Sequence, residues 1–223
     1  MTINSISLRS FTVAAALATV GASASALTLP TEALQANSVQ AFSQAALDQF
    51  DIFTITVTPL GNATPTATTG AYNLPVTSIS VNSSLKVTAG TATGSALEIA
   101  RMYRGAKVGV TIANFKLNFE TNQVLADVTP IGGTTIPQMA VYNFNVATPL
   151  GLKYKFPLSI TGHEVLDQLF LTPDGITTIA TALALPKFAP ELMRTTDFGT
   201  ITIDVGLGLR LPPVSTTPYV PAN

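Results

Sequence analysis

Residues 107–120, KVGVTIANFKLNFE, alternate apolar and small or polar residues throughout, but the parity of the alternation changes once. Val108, Val110 and Ile112 are the apolar set of the first half; Phe115, Leu117 and Phe119 are that of the second. Side chains on a strand point to opposite faces with a period of two, so each half is a strand with one buried face. A single extra residue would bring both sets onto the same face, which predicts a β-bulge at Ala113 and Asn114. With 95–101 before a Met-Tyr-Arg-Gly connection and 124–128 after Thr121-Asn122-Gln123, the stretch reads as an antiparallel meander over about 95–129.

Further alternation supports the same class. Phe53, Ile55 and Val57 alternate with threonines over 52–58, and 200–211 alternates without a fault from Ile201 to Leu211. Strands are also expected at 76–81, 85–93, 140–147 and 152–160, the last weakened by Pro157. Residues 61–70 and 131–137 carry the glycine, proline and threonine of loops. Two helices are expected. One runs from an Asn37 or Ser38 cap to Phe50, with Val39, Phe42, Ala46 and Phe50 on one face. The other starts at the Thr172 cap and Pro173, carries Ile176, Ile179, Ala180 and Leu183 on one face, and stops before Pro186. The fold class is therefore mainly β: an antiparallel β-sandwich or open barrel with two peripheral α-helices.

The first residues point to a destination rather than to the fold. Arg9, an apolar run over 11–20 and Ala24-Ser25-Ala26 have the layout of a secretory signal peptide cleaved near Ala26. The expected organisation is a signal peptide over 1–26, one β-rich domain over 27–211 and a proline-rich, extended or disordered tail over 212–223. The product would be periplasmic or extracellular. Eleven basic against twelve acidic residues exclude the basic face that nucleic acid requires. No run of 18 apolar residues predicts a transmembrane helix, and 7% aromatics with no tryptophan argue against an outer-membrane barrel.

Little of the chain carries catalytic chemistry. There is no cysteine and only one histidine, His163, so thiolate sites and two-histidine metal sites are excluded within one chain. Gly-x-Ser-x-Gly, P-loop and dinucleotide motifs are missing, which leaves no metal assigned and the cofactor unknown. His163 could share a helical face with Asp167 and act as a base; if 165–171 is a strand, the two part. Arg101, Arg104 and Lys107 flank Tyr103 in the only basic cluster, which could grip an anionic ligand. These five, Arg101, Tyr103, Arg104, Lys107 and His163, are the candidate ligand-binding residues.

The order of segments resembles the HtaA-like domain of exported bacterial envelope proteins. The resemblance rests on Phe42 through the Pro59-Leu60-Gly61-Asn62-Ala63 turn, on Gly94-Ser95-Ala96-Leu97-Glu98-Ile99 with 108–125, and on Leu171 to Leu183 followed by Phe198-Gly199-Thr200. It implies a β-rich surface or secreted domain, with haem capture in the characterised members; no ligand residue is matched here. The leading reading is a non-enzymatic exported β-protein serving as a cell-envelope, matrix or adhesive component. Its partners would be cell-surface or extracellular material, or further copies of itself. The alternative is a carrier of a small hydrophobic ligand such as haem in a β pocket. A secreted hydrolase is the remaining class.

Overall fold

The computed structural model describes residues 27–30, 34–82, 86–151, 153–155, 159–207, 210 and 213–222. The segment read as a signal peptide lies outside the described residues. The strands are β1 (Leu27–Pro30), β2 (Leu34–Phe42), β3 (Thr56–Gly61), β4 (Thr64–Pro65), β5 (Ala71–Pro75), β6 (Ser78–Val81) and β7 (Val87–Tyr103). They continue as β8 (Ala106–Asn118), β9 (Gln123–Pro130), β10 (Ile136–Thr148), β11 (Lys153–Lys155), β12 (Ser159–Leu171) and β13 (Gly199–Leu207). All belong to one antiparallel sheet, whose neighbours run β7-β8-β9-β10-β12-β13-β2-β5.

A single stretch closes that sheet into a nearly complete barrel. Its first part, β5, pairs with β2, and its second part, β6, pairs with β7. The hand-over falls at two residues. Val76 N donates to Ala36 O at 3.0 Å, and Thr77 N donates to Thr91 O at 2.7 Å. Elsewhere β3 pairs with β7 through Thr56↔Ala100 to Gly61↔Ser95, which covers much of the remaining gap. Closure satisfies backbone groups that an open sheet would leave along its edges.

The expected bulge is present. Asn114 has a φ of +54°, and the β8–β9 pairing slips between Ala113 and Lys116. As a result Val110, Ile112, Phe115 and Leu117 all lie in one core. Adjacent strands break at the same level: β7 slips between Ala92 and Ala96, and β10 between Ile136 and Met139. The expected strands at 85–93 and 95–101 are therefore one bent strand.

Among the described residues three helices pack on one end of the barrel: α1 (Gln44–Ile52), α2 (Pro173–Ala182) and α3 (Ala189–Thr195). Helix α2 starts as expected, with Thr172 Oγ1 accepting from Gly175 N at 3.0 Å while donating to Ala140 O at 2.6 Å. Ile176, Ile179 and Leu183 are buried beneath it. The first helix begins later than expected. Residues 34–42 form β2, and the cap is Ser43, whose Oγ accepts from Ala46 N at 3.1 Å. The spacing misled because β2 turns Ala36, Ser38, Gln40 and Phe42 inward. Two buried polar residues hide the strand's alternation, and Ser38 is made tolerable by its bond to Leu74 O at 2.7 Å. Helix α3 is an addition to the two expected.

Other expectations shift for local reasons. The strand expected over 52–58 runs instead as β3 over Thr56–Gly61, with Pro59 inside it, opposite Leu97. The region 152–160 is not one continuous strand: β11 and the start of β12 pair with each other as a hairpin, and 156–158 lie outside the described residues. The closing strand is described to Leu207. The tail is neither helix nor strand over 213–222 and is docked on the barrel, with Tyr219 N 2.8 Å from Asn114 Oδ1.

Candidate functional site

The β7–β8 hairpin ends in a two-residue turn, Arg104-Gly105, with φ of +51° and +82°. Positive φ at both central residues is the type I′ arrangement, whose twist matches that of the flanking strands. Leu97 and Ile99 of β7 face the core, so by alternation Arg101 and Tyr103 continue on the inner side, past the last packed layer. There they meet the C-terminal end of α1 and the segment after α2. The result is a groove of about 410 Å³ at the helical end of the barrel, lined by Ile52, Phe53, Leu185 and Pro186 with Arg101 and Tyr103.

The electrostatics of this groove are one-sided. The Arg101 guanidinium carbon lies 5.1 Å from the Tyr103 ring centroid and that of Arg104 5.3 Å from it, so two cations attend one aromatic ring. Arg101 Nη1 donates to Phe53 O at 3.4 Å, while its Nε is buried with no hydrogen-bond partner among the described residues. A guanidinium has five donors and satisfies a carboxylate in pairs. Apolar side chains share the groove with these charges: Ile52 is 68% exposed, and Leu185 and Pro186 lie beside it. The exposed Phe188 adjoins Phe53, 6.1 Å from it ring to ring.

The other two expected site residues lie elsewhere. Lys107 is on the outer face of β8, where its Nζ contacts Glu98 Oε1 at 2.6 Å. Of the two alternatives for His163 the strand holds: it sits on β12, which separates it from Asp167, and its Nδ1 lies 2.7 Å from Asp204 Oδ1 on the adjacent strand. Both members of that pair are more than half exposed, and such pairs contribute little. His163→Ala is expected to change unfolding free energy by less than about 1 kcal/mol in a urea titration. A larger loss would mean that the pair holds β12 to β13.

The barrel's other end contains a buried carboxyl. Glu164, 3% exposed, points into a cavity of about 40 Å³ lined mainly by Leu74, Val76, Ile79, Phe115 and Leu117. Its Oε1 accepts from Leu150 N at 3.3 Å, from the connection between β10 and β11. Burial pushes this carboxyl up to about 7, opposed in part by that N–H. The space suits a few waters rather than a macrocycle.

The sequence matches no protein-family model and no curated protein. Among solved structures, the chain is similar to the C-terminal domain of HtaA from Corynebacterium glutamicum. The superposition gives a TM-score of 0.51 at 18% identity and covers 78% of this chain and 98% of that domain. The chain has the HtaA-like domain fold. The likeness extends to architecture and carries no ligand residue across.

Within this HtaA-like barrel, sequence reasoning located Arg101, Tyr103 and Arg104 but missed the apolar half of the groove. Ile52 and Phe53 were read as strand, and Leu185 and Pro186 as a helix end. Their meeting with β7 depends on the fold. Among the described residues no helix is long and apolar enough to cross a membrane, and no cluster of three His, Cys, Asp or Glu could hold a metal ion.

Proposed function

We propose that this is a non-enzymatic protein of the cell envelope that works by binding, and that its site is the groove at the helical end of the barrel. The observation that carries the reading is the meeting of Ile52, Phe53, Leu185 and Pro186 with the Arg101 guanidinium beside Tyr103 in one open groove. A flat apolar ligand bearing a carboxylate satisfies both. The HtaA-like fold makes haem the first compound to try. Tyr103 brings a phenolic oxygen that could ligate iron, and Arg101 and Arg104 would face the carboxylates. His163, exposed and at a distance along β12, takes no part. Export, inferred from the N-terminal segment, would place the groove where envelope or extracellular ligands pass.

The test is a spectroscopic titration of the chain purified after export, following the haem Soret band. Saturable binding is expected, weakened about tenfold by Arg101→Ala, with the band displaced by Tyr103→Phe and unaffected by His163→Ala. Absence of saturation, or binding indifferent to both Arg101 and Tyr103, would remove this reading.

A further inference from the structure

The tail occupies a built groove on the outside of the barrel. Gly61 and Gly94, with φ of +63° and +80°, form its floor. A Cβ on Gly94 would come within 2.9 Å of Thr217 O, and one on Gly61 within 2.9 Å of the Tyr219 ring. Two side-chain amides then hold the tail by its backbone. Asn62 Nδ2 donates to Ser215 O at 2.7 Å. Asn114 receives Tyr219 N on Oδ1 at 2.8 Å and donates from Nδ2 to Tyr219 O at 3.0 Å, as a neighbouring strand would. None of these bonds depends on a tail side chain.

The features of the tail favour exchange. Arg210 anchors its base, donating to Val76 O at 3.3 Å, to Ala36 O and to Asn37 Oδ1 at 3.2 Å. Beyond that anchor, residues 211–223 include no charged side chain, so two copies would not repel one another through their tails. Four of those residues are prolines, at 212, 213, 218 and 221. Proline-rich segments are stiff and extended, so a released tail keeps its bound shape and its reach. Proline also supplies no N–H, which explains why the tail is held by side-chain amides instead of a full ladder.

We propose that the groove along Gly61, Asn62, Gly94 and Asn114 is an acceptor site for an extended, uncharged peptide, and that the tail of a second copy of this chain fills it when copies are crowded. At low concentration the tethered tail wins, because its effective concentration is high. On a crowded surface the same bonds form between copies: reciprocal exchange gives a dimer, and one-way exchange gives an open chain. This surface is separate from the mouth groove, so its failure leaves the ligand reading intact.

The chain contains no cysteine, which makes cross-linking clean. Full-length Asn62→Cys and Ser215→Cys variants are mixed at high concentration, incubated and oxidised. The expected result is a disulfide-linked heterodimer, several-fold above a control in which the exposed Glu120→Cys replaces Ser215→Cys. An excess of synthetic peptide spanning 211–223 should suppress it. If the double variant Asn62→Cys/Ser215→Cys closes internally while the mixture stays at the control level, the tail is seated but does not exchange, and the proposal fails. It also fails if the double variant does not close, because the groove then does not hold the tail.

Discussion

Asn114→Ala is expected to lower the unfolding free energy by about 3–4 kcal/mol, among the largest effects of any single polar replacement in this barrel. The side chain is 8% exposed and uses all four of its hydrogen-bonding positions. Oδ1 accepts from Gly94 N at 3.0 Å and Tyr219 N at 2.8 Å; Nδ2 donates to Asp127 Oδ2 at 2.8 Å and Tyr219 O at 3.0 Å. The network continues, because Asp127 Oδ1 accepts from Gln138 N at 2.9 Å and Gln138 Nε2 reaches Asn114 O at 3.3 Å. Removing the amide orphans partners on β7, β9 and the tail together. Alanine also fits poorly at a φ of +54°, a cost of about 1 kcal/mol that Asn114→Gly would recover. Urea denaturation of both variants separates the two contributions. A loss below about 1 kcal/mol for alanine would show that the network is replaceable by water.

The second large effect concerns pH and Glu164. Its folded carboxyl titrates at about 7, raised by burial from an ordinary 4.5, so the folded state holds the proton more tightly than the unfolded chain. The stability it contributes is therefore complete below about 4.5 and is lost as pH rises through about 7, after which the curve is flat. Water reaching the cavity screens part of the penalty, leaving a loss of about 1–2 kcal/mol across that window. Glu164→Gln keeps an acceptor for Leu150 N–H and removes the charge. The variant is expected to exceed the parent by that amount at pH 8 and to match it near pH 4.5, read as chemical stability at a series of pH values. Equal pH profiles for the two proteins would mean that Glu164 titrates like an exposed carboxyl.

Both effects arise where polar residues stand inside a barrel whose sequence was read through its apolar ones. The parity change at Ala113 and Asn114 was legible, and so was the bulge that follows from it. Nothing local shows that Asn114 would collect partners from Gly94, Asp127 and Tyr219, which are 13 to 105 residues away. The tail illustrates the same limit. Its prolines exclude a helix or a ladder strand, yet its docking depends on two glycines and two asparagines far away in the chain. Of the candidate site, the cationic and aromatic half was readable because Arg101, Tyr103 and Arg104 share one hairpin. The apolar half was not, because Ile52 and Leu185 belong to other elements. Lys107 and His163 were drawn in by residue type, and the fold turns Lys107 to the outer face and leaves His163 exposed on β12.

By itself the sequence determined what is settled within a few residues. Period-two alternation, the Arg104-Gly105 turn, the bulge at Asn114 and the Thr172 cap of α2 follow from local sterics and short-range hydrogen bonds. Only the tertiary structure decided that β5 and β6 would close the sheet, that Ser38, Gln40 and Glu164 would face inward, and that α1, β7 and the segment after α2 would enclose one groove. Those outcomes depend on partners far apart in the chain. A buried polar group is tolerable only once its distant partner is in place, so its orientation leaves no trace in the local hydrophobic pattern.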